Sequence, residues 1–284
     1  MLKGRIKNIN STKYFVDVQN ETYDCTVRGI FRKMKITPLV GDYVEIDEDK
    51  KQIVNVLERK NFLRRPNIAN VDIALIITSV KKPDLDLVLL DKLIVHVITS
   101  KIKPVICFTK VDLLEENEKE AFLDIRKYYS SIGVDVITNE ELDKFKKIVS
   151  GKVLVCCGQT GAGKSTFINK LEKNLNLATS PISESLGRGV HTTRYVSLYK
   201  IDDYYIADTP GFSFLELSNM TKEDVRDAFL EFKKYNCKYS DCMHINTDGC
   251  LVIENLDEIL CSRYENYKRF IKEQNESSSK LFKK

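Results

Sequence analysis

The chain opens with five short segments in which apolar and polar residues alternate, at 3–6, 14–18, 23–27, 42–46 and 53–57. Turn-forming residues separate them at 8–11, 19–20, 38–41 and 48–51, which marks each segment as a strand. Five strands in so short a module predict a small closed barrel of the OB type over residues 1–66. Residues 62–66 read as a linker, and beyond them the pattern changes. Continuous apolar runs at 71–80, 104–108, 134–138 and 153–157 alternate with helical spacing at 85–99 and 112–129, and further strands follow at 195–200 and 203–207. That alternation predicts βαβ units, a parallel sheet with helices on both faces, over residues 67–218.

A helical module completes a multidomain α/β chain over residues 219–284. Thr221-Lys222-Glu223-Asp224 resembles a capping box, and the helix it starts places Val225, Ala228, Phe229 and Phe232 on one face. A last helix carries Ile259, Leu260, Tyr264, Tyr267, Phe270 and Ile271, then fades into the polar residues 276–280, which read as a disordered tail.

Composition adds a charge asymmetry. The net charge is only +4, but residues 1–66 hold fourteen Lys/Arg against nine Asp/Glu and residues 262–284 hold seven against three, which leaves the middle near −5. Basic ends suit a polyanion such as RNA, or are simply solvated lysines. In the barrel, Arg32-Lys33-Met34-Lys35 with Tyr14, Phe15, Tyr23 and Phe31 could offer charge and stacking faces to single strands, although those aromatics fit a core equally well. No apolar run nears the roughly 18 residues of a membrane span, and the N-terminus leads into no secretory segment, so a cytoplasmic protein is expected. In that compartment the eight cysteines are thiols or metal ligands rather than disulfides. Cys25, Cys107, Cys156 and Cys157 lie in apolar runs and fit a core.

The chemistry centres on Gly158-Gln159-Thr160-Gly161-Ala162-Gly163-Lys164-Ser165-Thr166. This stretch fits G-x-x-x-x-G-K-[ST] and follows the apolar run at 153–157, as a phosphate-binding loop requires. Its glycines let backbone N–H groups turn toward phosphate, Lys164 adds charge at the outer phosphates, and the Ser165 hydroxyl can ligate Mg²⁺. Thr109-Lys110-Val111-Asp112 ends the apolar run at 104–108 and resembles the [NT]-K-x-D motif that reads guanine. An Asp there accepts from the ring N–H and the exocyclic amine, a donor pair that adenine lacks.

Asp208-Thr209-Pro210-Gly211 matches D-x-x-G, with Asp208 reaching Mg²⁺ through water and the Gly211 N–H meeting the γ-phosphate. Between the two motifs lies Gly187-Arg188-Gly189-Val190-His191-Thr192-Thr193-Arg194, a polar loop of the switch type. Thr193 is the first choice for an Mg²⁺ ligand and Thr192 the alternative. The guanine motif precedes the phosphate loop, the reverse of the ordinary order, so the sheet is circularly permuted. The position after D-x-x-G, where many GTPases hold a water-orienting Gln, is Phe212. That leaves His191 either to position the attacking water or to serve only the loop's structure.

Cys237-x4-Cys242-x-His244-x5-Cys250 supplies three thiolates and one imidazole within one polar loop, enough for a closed structural zinc site. With these motifs in place, the chain resembles the RsgA (YjeQ) family of bacterial ribosome-dependent GTPases over nearly its whole length. The resemblance implies GTP hydrolysis stimulated by the small ribosomal subunit, a role in that subunit's late maturation, and binding to 16S rRNA through both flanking domains. It also implies Mg²⁺ with GTP, one structural Zn²⁺ and a monomer. The family's Ser-Ala-type motif after Val136 is poorly matched by Ile137-Thr138-Asn139. The competing class is a GTP-gated RNA-binding module whose hydrolysis is incidental.

Overall fold

The computed structural model describes residues 1–29, 31, 36–64, 66–171, 196–208 and 217–281. Two compact units interleave along the chain. The first comprises Met1–Leu75, Leu142–Cys157 and Ser165–Ser213, and the second Ile76–Glu141, Gly158–Lys164 and Phe214–Lys284.

In the first unit, β1 (Leu2–Asn10), β2 (Lys13–Val18), β3 (Glu21–Val27), β4 (Tyr43–Asp47) and β5 (Gln52–Val56) pair in the order 1-2-3-5-4. β4 returns to β1 with Gly4 opposite Val44, so the five strands close into a barrel of the expected OB type. Closure leaves no open edge. Ile6, Val16, Cys25, Val44, Ile46 and Ile53 fill the interior, as the period-2 pattern requires. Tyr14 and Phe31 join that core, whereas Phe15 and Tyr23 are half-exposed. Residues 32–35 lie outside the described residues. β1 runs on to Asn10 where turn residues were expected, because a bulge after Ile6 bends it and Asn8 pairs with Ser197 of β12 (Ser197–Ile201).

The expected linker is instead a short hairpin of β6 (Phe62–Arg64) and β7 (Asn67–Ala69). Asn61 imitates a strand partner: its side chain donates to the Val71 carbonyl at 2.8 Å and accepts from the Val71 N–H at 2.9 Å. Asn70 donates to the Gly41 carbonyl at 3.0 Å. Two buried amides thus fix the hairpin where apolar periodicity gives no signal. In the same unit, β11 (Val153–Gly158) runs parallel to β13 (Tyr204–Asp208). β12 joins β13 as an antiparallel hairpin rather than continuing the parallel series, because the Asp202-Asp203 turn leaves no room for a crossover.

The second unit holds strands in the order β10 (Asp135–Thr138), β9 (Lys103–Thr109) and β8 (Ile73–Ser79), the last entered partway along its length. β9 and β10 are parallel. All seven residues of β8 are buried, which accounts for its unbroken apolar run. Helix α1 (Leu87–Thr99) is capped by Asp86, whose carboxylate accepts from the Leu89 N–H at 2.9 Å. Helix α2 (Glu116–Ser131) starts later than its charge pattern suggests. A 3₁₀ turn occupies Val111–Leu113, Leu114 is extended, and a capping box of Glu115 and Glu118 sets the start. Helix α3 (Leu142–Val149), in the first unit, hides its signal among lysines but buries Phe145 and Val149.

The C-terminal part of the second unit begins with α5 (Lys222–Asp227), after α4 (Lys164–Leu171) of the phosphate loop. The Thr221/Asp224 capping box is present. α6 (Leu251–Glu254) and α7 (Cys261–Leu281) follow, and α7 continues through the residues whose polarity suggested disorder. Val225, Ala228, Phe229, Phe232, Tyr267 and Phe270 form one core that also takes in Val95 of α1.

A charged network runs through this core. The fully buried Arg263 of α7 grips Glu231 with two bonds of 2.8 and 2.9 Å and donates to Asp91 of α1 at 2.8 Å. Asp91 also accepts from Tyr129 at 2.5 Å and from Asn266 at 2.6 Å. Burial works against the Arg263 charge, but Asp91 and Glu231 hold its pKa well above the ordinary value, so it stays ionised. Removing the guanidinium would leave two buried carboxylates facing each other's charge. Arg263→Leu is expected to cost about 3–5 kcal/mol, and Tyr129→Phe about 1–2 kcal/mol, read as shifts of the guanidinium unfolding midpoint; an Arg263→Leu midpoint equal to the parent's would contradict this role.

Candidate functional site

The loop between β11 and α4 depends on backbone that only glycine supplies. Gly158 has φ +134° and Gly161 φ +77°, and a Cβ on Gly158 would lie 1.8 Å from the Ile77 carbonyl oxygen. Strand β8 therefore sets how closely the loop can approach, and a side chain at Gly158 would push it away. Gly163 has φ +84°, Ala162 is buried, and α4 begins at Lys164. The Lys164 ammonium donates to the carbonyls of Gly158 at 3.0 Å and Gln159 at 2.7 Å, which curls the loop around its amine. Thr160 and Thr166 are exposed, and Ser165 is half-buried in the first turn of α4.

The sequence-distant motif at 109–112 is bonded directly to this loop. Thr109 ends β9 and donates its hydroxyl hydrogen to the Ala162 carbonyl at 2.6 Å. Lys110 donates to the Gly161 carbonyl at 2.9 Å and also to the Lys82 carbonyl. To do so it takes φ +58°, a left-handed conformation that a side chain adopts at a cost of about 1 kcal/mol. Asp112 follows in the 3₁₀ turn with its carboxylate exposed. Such strain persists where a surrounding structure holds it, and here the two carbonyls do so.

The segment after β8 adds a contact that the motifs did not name. Gln159 donates to the Asp84 carbonyl at 3.1 Å, so residues 82–84 brace both the loop and Lys110. The only sequence signal for this was their place at the C-terminal end of a buried strand, where open α/β sheets bind ligands. Asn139, at the end of β10, has its N–H bonded to the Phe108 carbonyl at 3.0 Å. Asp208 is the last residue of β13, and the parallel pairing of β13 with β11 sets Ala207 opposite Val155. His191, Thr192, Thr193, Gly211 and Phe212 lie outside the described residues.

The four candidate metal ligands converge in the second unit. The Sγ atoms of Cys237, Cys242 and Cys250 and a ring nitrogen of His244 all lie within 4.8 Å of one another. His244 Nδ1 is 3.5 Å from Cys237 Sγ and 3.4 Å from Cys250 Sγ, and those two sulfurs are 3.8 Å apart. A tetrahedral zinc with bonds of about 2.3 Å to sulfur needs ligand atoms about 3.8 Å apart, so the donor set and its spacing fit that ion. Burial, with Arg226 nearby, holds the His244 pKa below its ordinary value and so keeps the ring neutral, as ligation requires.

Backbone amides do comparable work for the sulfurs. Burial pushes the Cys237 thiol up, but the N–H groups of Val252 and Leu251 at the start of α6, together with hydrogen bonds from the Cys250 and Cys242 thiols, leave the pKa lowered. Burial raises Cys250 to about 11. Helix α7 steadies the loop from behind: Tyr264 donates to the His244 carbonyl at 2.8 Å and Tyr267 donates to that of Met243. Cys261 is exposed and stands apart from the cluster.

Comparison with known proteins agrees with this geometry. Residues 56–218 match the family model described as RsgA GTPase, and residues 3–54 match that of the RsgA N-terminal domain. The small ribosomal subunit biogenesis GTPase RsgA 2 of Listeria monocytogenes is 43% identical, with 96% of this chain and 97% of the relative covered. The small ribosomal subunit biogenesis GTPase RsgA of Caldanaerobacter subterraneus is 38% identical with 99% of both covered. Among solved structures, YloQ, a circularly permuted GTPase, superposes with a TM-score of 0.83 at 32% identity over 97% of this chain and 96% of its own. YjeQ of Thermotoga maritima gives 0.82 at 30% identity over 96% and 98%. Barrel, permuted motif order and nucleotide loop therefore lead to one assignment: the chain belongs to the RsgA family of GTPases.

Proposed function

We propose that this protein hydrolyses GTP with Mg²⁺ as a cytoplasmic, monomeric maturation factor of the small ribosomal subunit. Its turnover is accelerated by that subunit, and it engages 16S rRNA through the modules at 1–66 and 219–284 that flank a permuted GTPase module at 67–218. The observation that carries this reading is the bond from Thr109 to the Ala162 carbonyl, supported by that from Lys110 to Gly161. Two such bonds between the segment at 109–112 and the loop at 158–166 support a single nucleotide spanning both. The names of the relatives motivate the ribosomal partner.

In this reading the phosphates lie along residues 158–166, and Lys164 leaves its loop carbonyls for the outer phosphates. Asp112 accepts from guanine while Lys110 flanks the base. Ser165, Thr193 and Asp208 would hold Mg²⁺, which would offset charge on the phosphates. Gly211 meets the γ-phosphate, and His191 orients the attacking water. Cys237, Cys242, His244 and Cys250 would hold one Zn²⁺, which would brace the loop packed on α7 in a closed structural role.

Turnover measured with and without isolated small subunits tests the assignment: marked acceleration is expected, and GTP-dependent binding without acceleration would identify an RNA-binding module instead. In the same assay His191→Ala should lower kcat by about 10²-fold with nucleotide affinity nearly unchanged; unaltered stimulated turnover removes His191 from the mechanism. Asp112→Asn should weaken GTP binding by about 3 kcal/mol, roughly 10²-fold, through loss of two charge-assisted bonds, and equal affinities of the parent for ATP and GTP would rule out guanine reading. Metal analysis should find one zinc per chain, and Cys242→Ser should abolish that stoichiometry and lower the thermal midpoint by about 10 °C. Zinc-free parent protein of undiminished stability would refute the metal site.

A further inference from the structure

A cavity of about 480 Å³ opens beside the cysteine cluster, walled by residues 226–244. Its floor is apolar, with Phe229 and Phe232 buried, and Phe232 packs edge-on against His244 at 5.0 Å. Its mouth is different in kind. Tyr239 is 47% exposed although its neighbours Cys242 and His244 are buried, and the Lys238 ammonium lies 5.3 Å from its ring centroid. Lys233 and Lys238 have no carboxylate partner among the described residues, whereas Arg226 is held by Asp227 at 2.8 Å and Lys234 by Glu258 at 2.7 Å. Asn236 adds an amide at the rim.

A large ring left in water, beside two uncompensated cations and over a polar-walled cavity with an aromatic floor, has the features of a stacking platform. The volume lies in the range of small-ligand sites, roughly 300–1,000 Å³, which suits one nucleotide and excludes a duplex. We infer that this cavity captures one unstacked nucleotide of single-stranded RNA, with the base against Tyr239 and the phosphate on Lys233 and Lys238. The inference rests on the proposed RNA-binding role and gives it an address. Arg226 and Asp227 neutralise each other, so the attraction is local to the two lysines. Cys237, Cys242 and His244 line the inner end of the cavity, and Cys237 and Cys242, on either side of Tyr239 in sequence, anchor the segment that presents the ring.

The test uses the full GTP-loaded chain, a fluorescent single-stranded RNA hexamer and the matching duplex. The parent should prefer the single strand. Tyr239→Ala should lose about tenfold in affinity, the scale of one base–aromatic stack, while Tyr239→Phe keeps it and both variants retain the parent's thermal midpoint. Lys238→Ala should reduce the slope of log affinity against log salt by about 0.7, the release expected from one phosphate contact on a single strand. Unchanged affinity of Tyr239→Ala would overturn the cavity assignment while leaving RNA binding by the parent intact. Failure of the parent to bind either the hexamer or small subunits would sink both readings. A photoreactive phenylalanine at position 239 that cross-links to a ribosomal protein instead of rRNA would assign the cavity to a peptide and also overturn the proposal.

Discussion

The buried guanidinium of Arg263 is the constraint on which the second unit turns. One charge at the centre of an apolar core is unfavourable unless every donor finds an acceptor. Asp91 and Glu231 accept from it, and Asp91 is completed in turn by donors from Tyr129 of α2 and Asn266 of α7. The network therefore acts less as a source of net stability than as a specification: only one docking of α7 on α1 satisfies it. From that docking the rest follows along α7, since Tyr264, the next residue, and Tyr267, one turn on, hold the carbonyls of the loop with the candidate ligands. The metal ligands are thereby positioned by packing as well as by any ion they bind.

The nucleotide region uses a different economy. Its motifs are separated by about fifty residues and occur in the reverse of the usual order, yet two side-chain-to-carbonyl bonds join them. Both are made at positions with little freedom left. Thr109 is buried at the end of a buried strand, and Lys110 is confined to a left-handed turn. Permutation changes which segments are covalently adjacent without disturbing these contacts, because strand order and strand-end geometry matter to the site and chain order does not.

Elements with strong period were legible from the sequence. The five barrel strands, β8, β9, β10 and α1 all appear close to their expected positions. What escaped had no apolar signature. The β6–β7 hairpin is fixed by two asparagine amides, α3 carries its apolar residues among lysines, and α2 waits for a glutamate capping box after a 3₁₀ turn. Arg263 is the sharpest case. Counted by charge it belongs to a basic terminus facing solvent, but its side chain is wholly buried. The convergence of Cys237, Cys242, His244 and Cys250, by contrast, was readable because four such side chains within fourteen residues leave little room for another arrangement.

The bond from Thr109 to Ala162 has a mechanical meaning beyond holding two motifs together. A peptide group is a rigid plate, so fixing the carbonyl oxygen of Ala162 also fixes the direction of the Gly163 N–H on the plate's opposite edge. Lys110, on the Gly161 carbonyl, does the same for the Ala162 N–H, which turns back onto the Gln159 carbonyl at 3.2 Å and closes the loop's own turn. Thr109 thus sets the aim of the Gly163 N–H, while Lys110 beside it holds the turn that carries that peptide. An ill-fitting base that displaced Lys110 would disturb Thr109 beside it and tilt those plates, and its error would be expressed where the phosphates are proposed to sit. Selectivity for the base and alignment of the reacting end of the nucleotide would then be two readings of one lever.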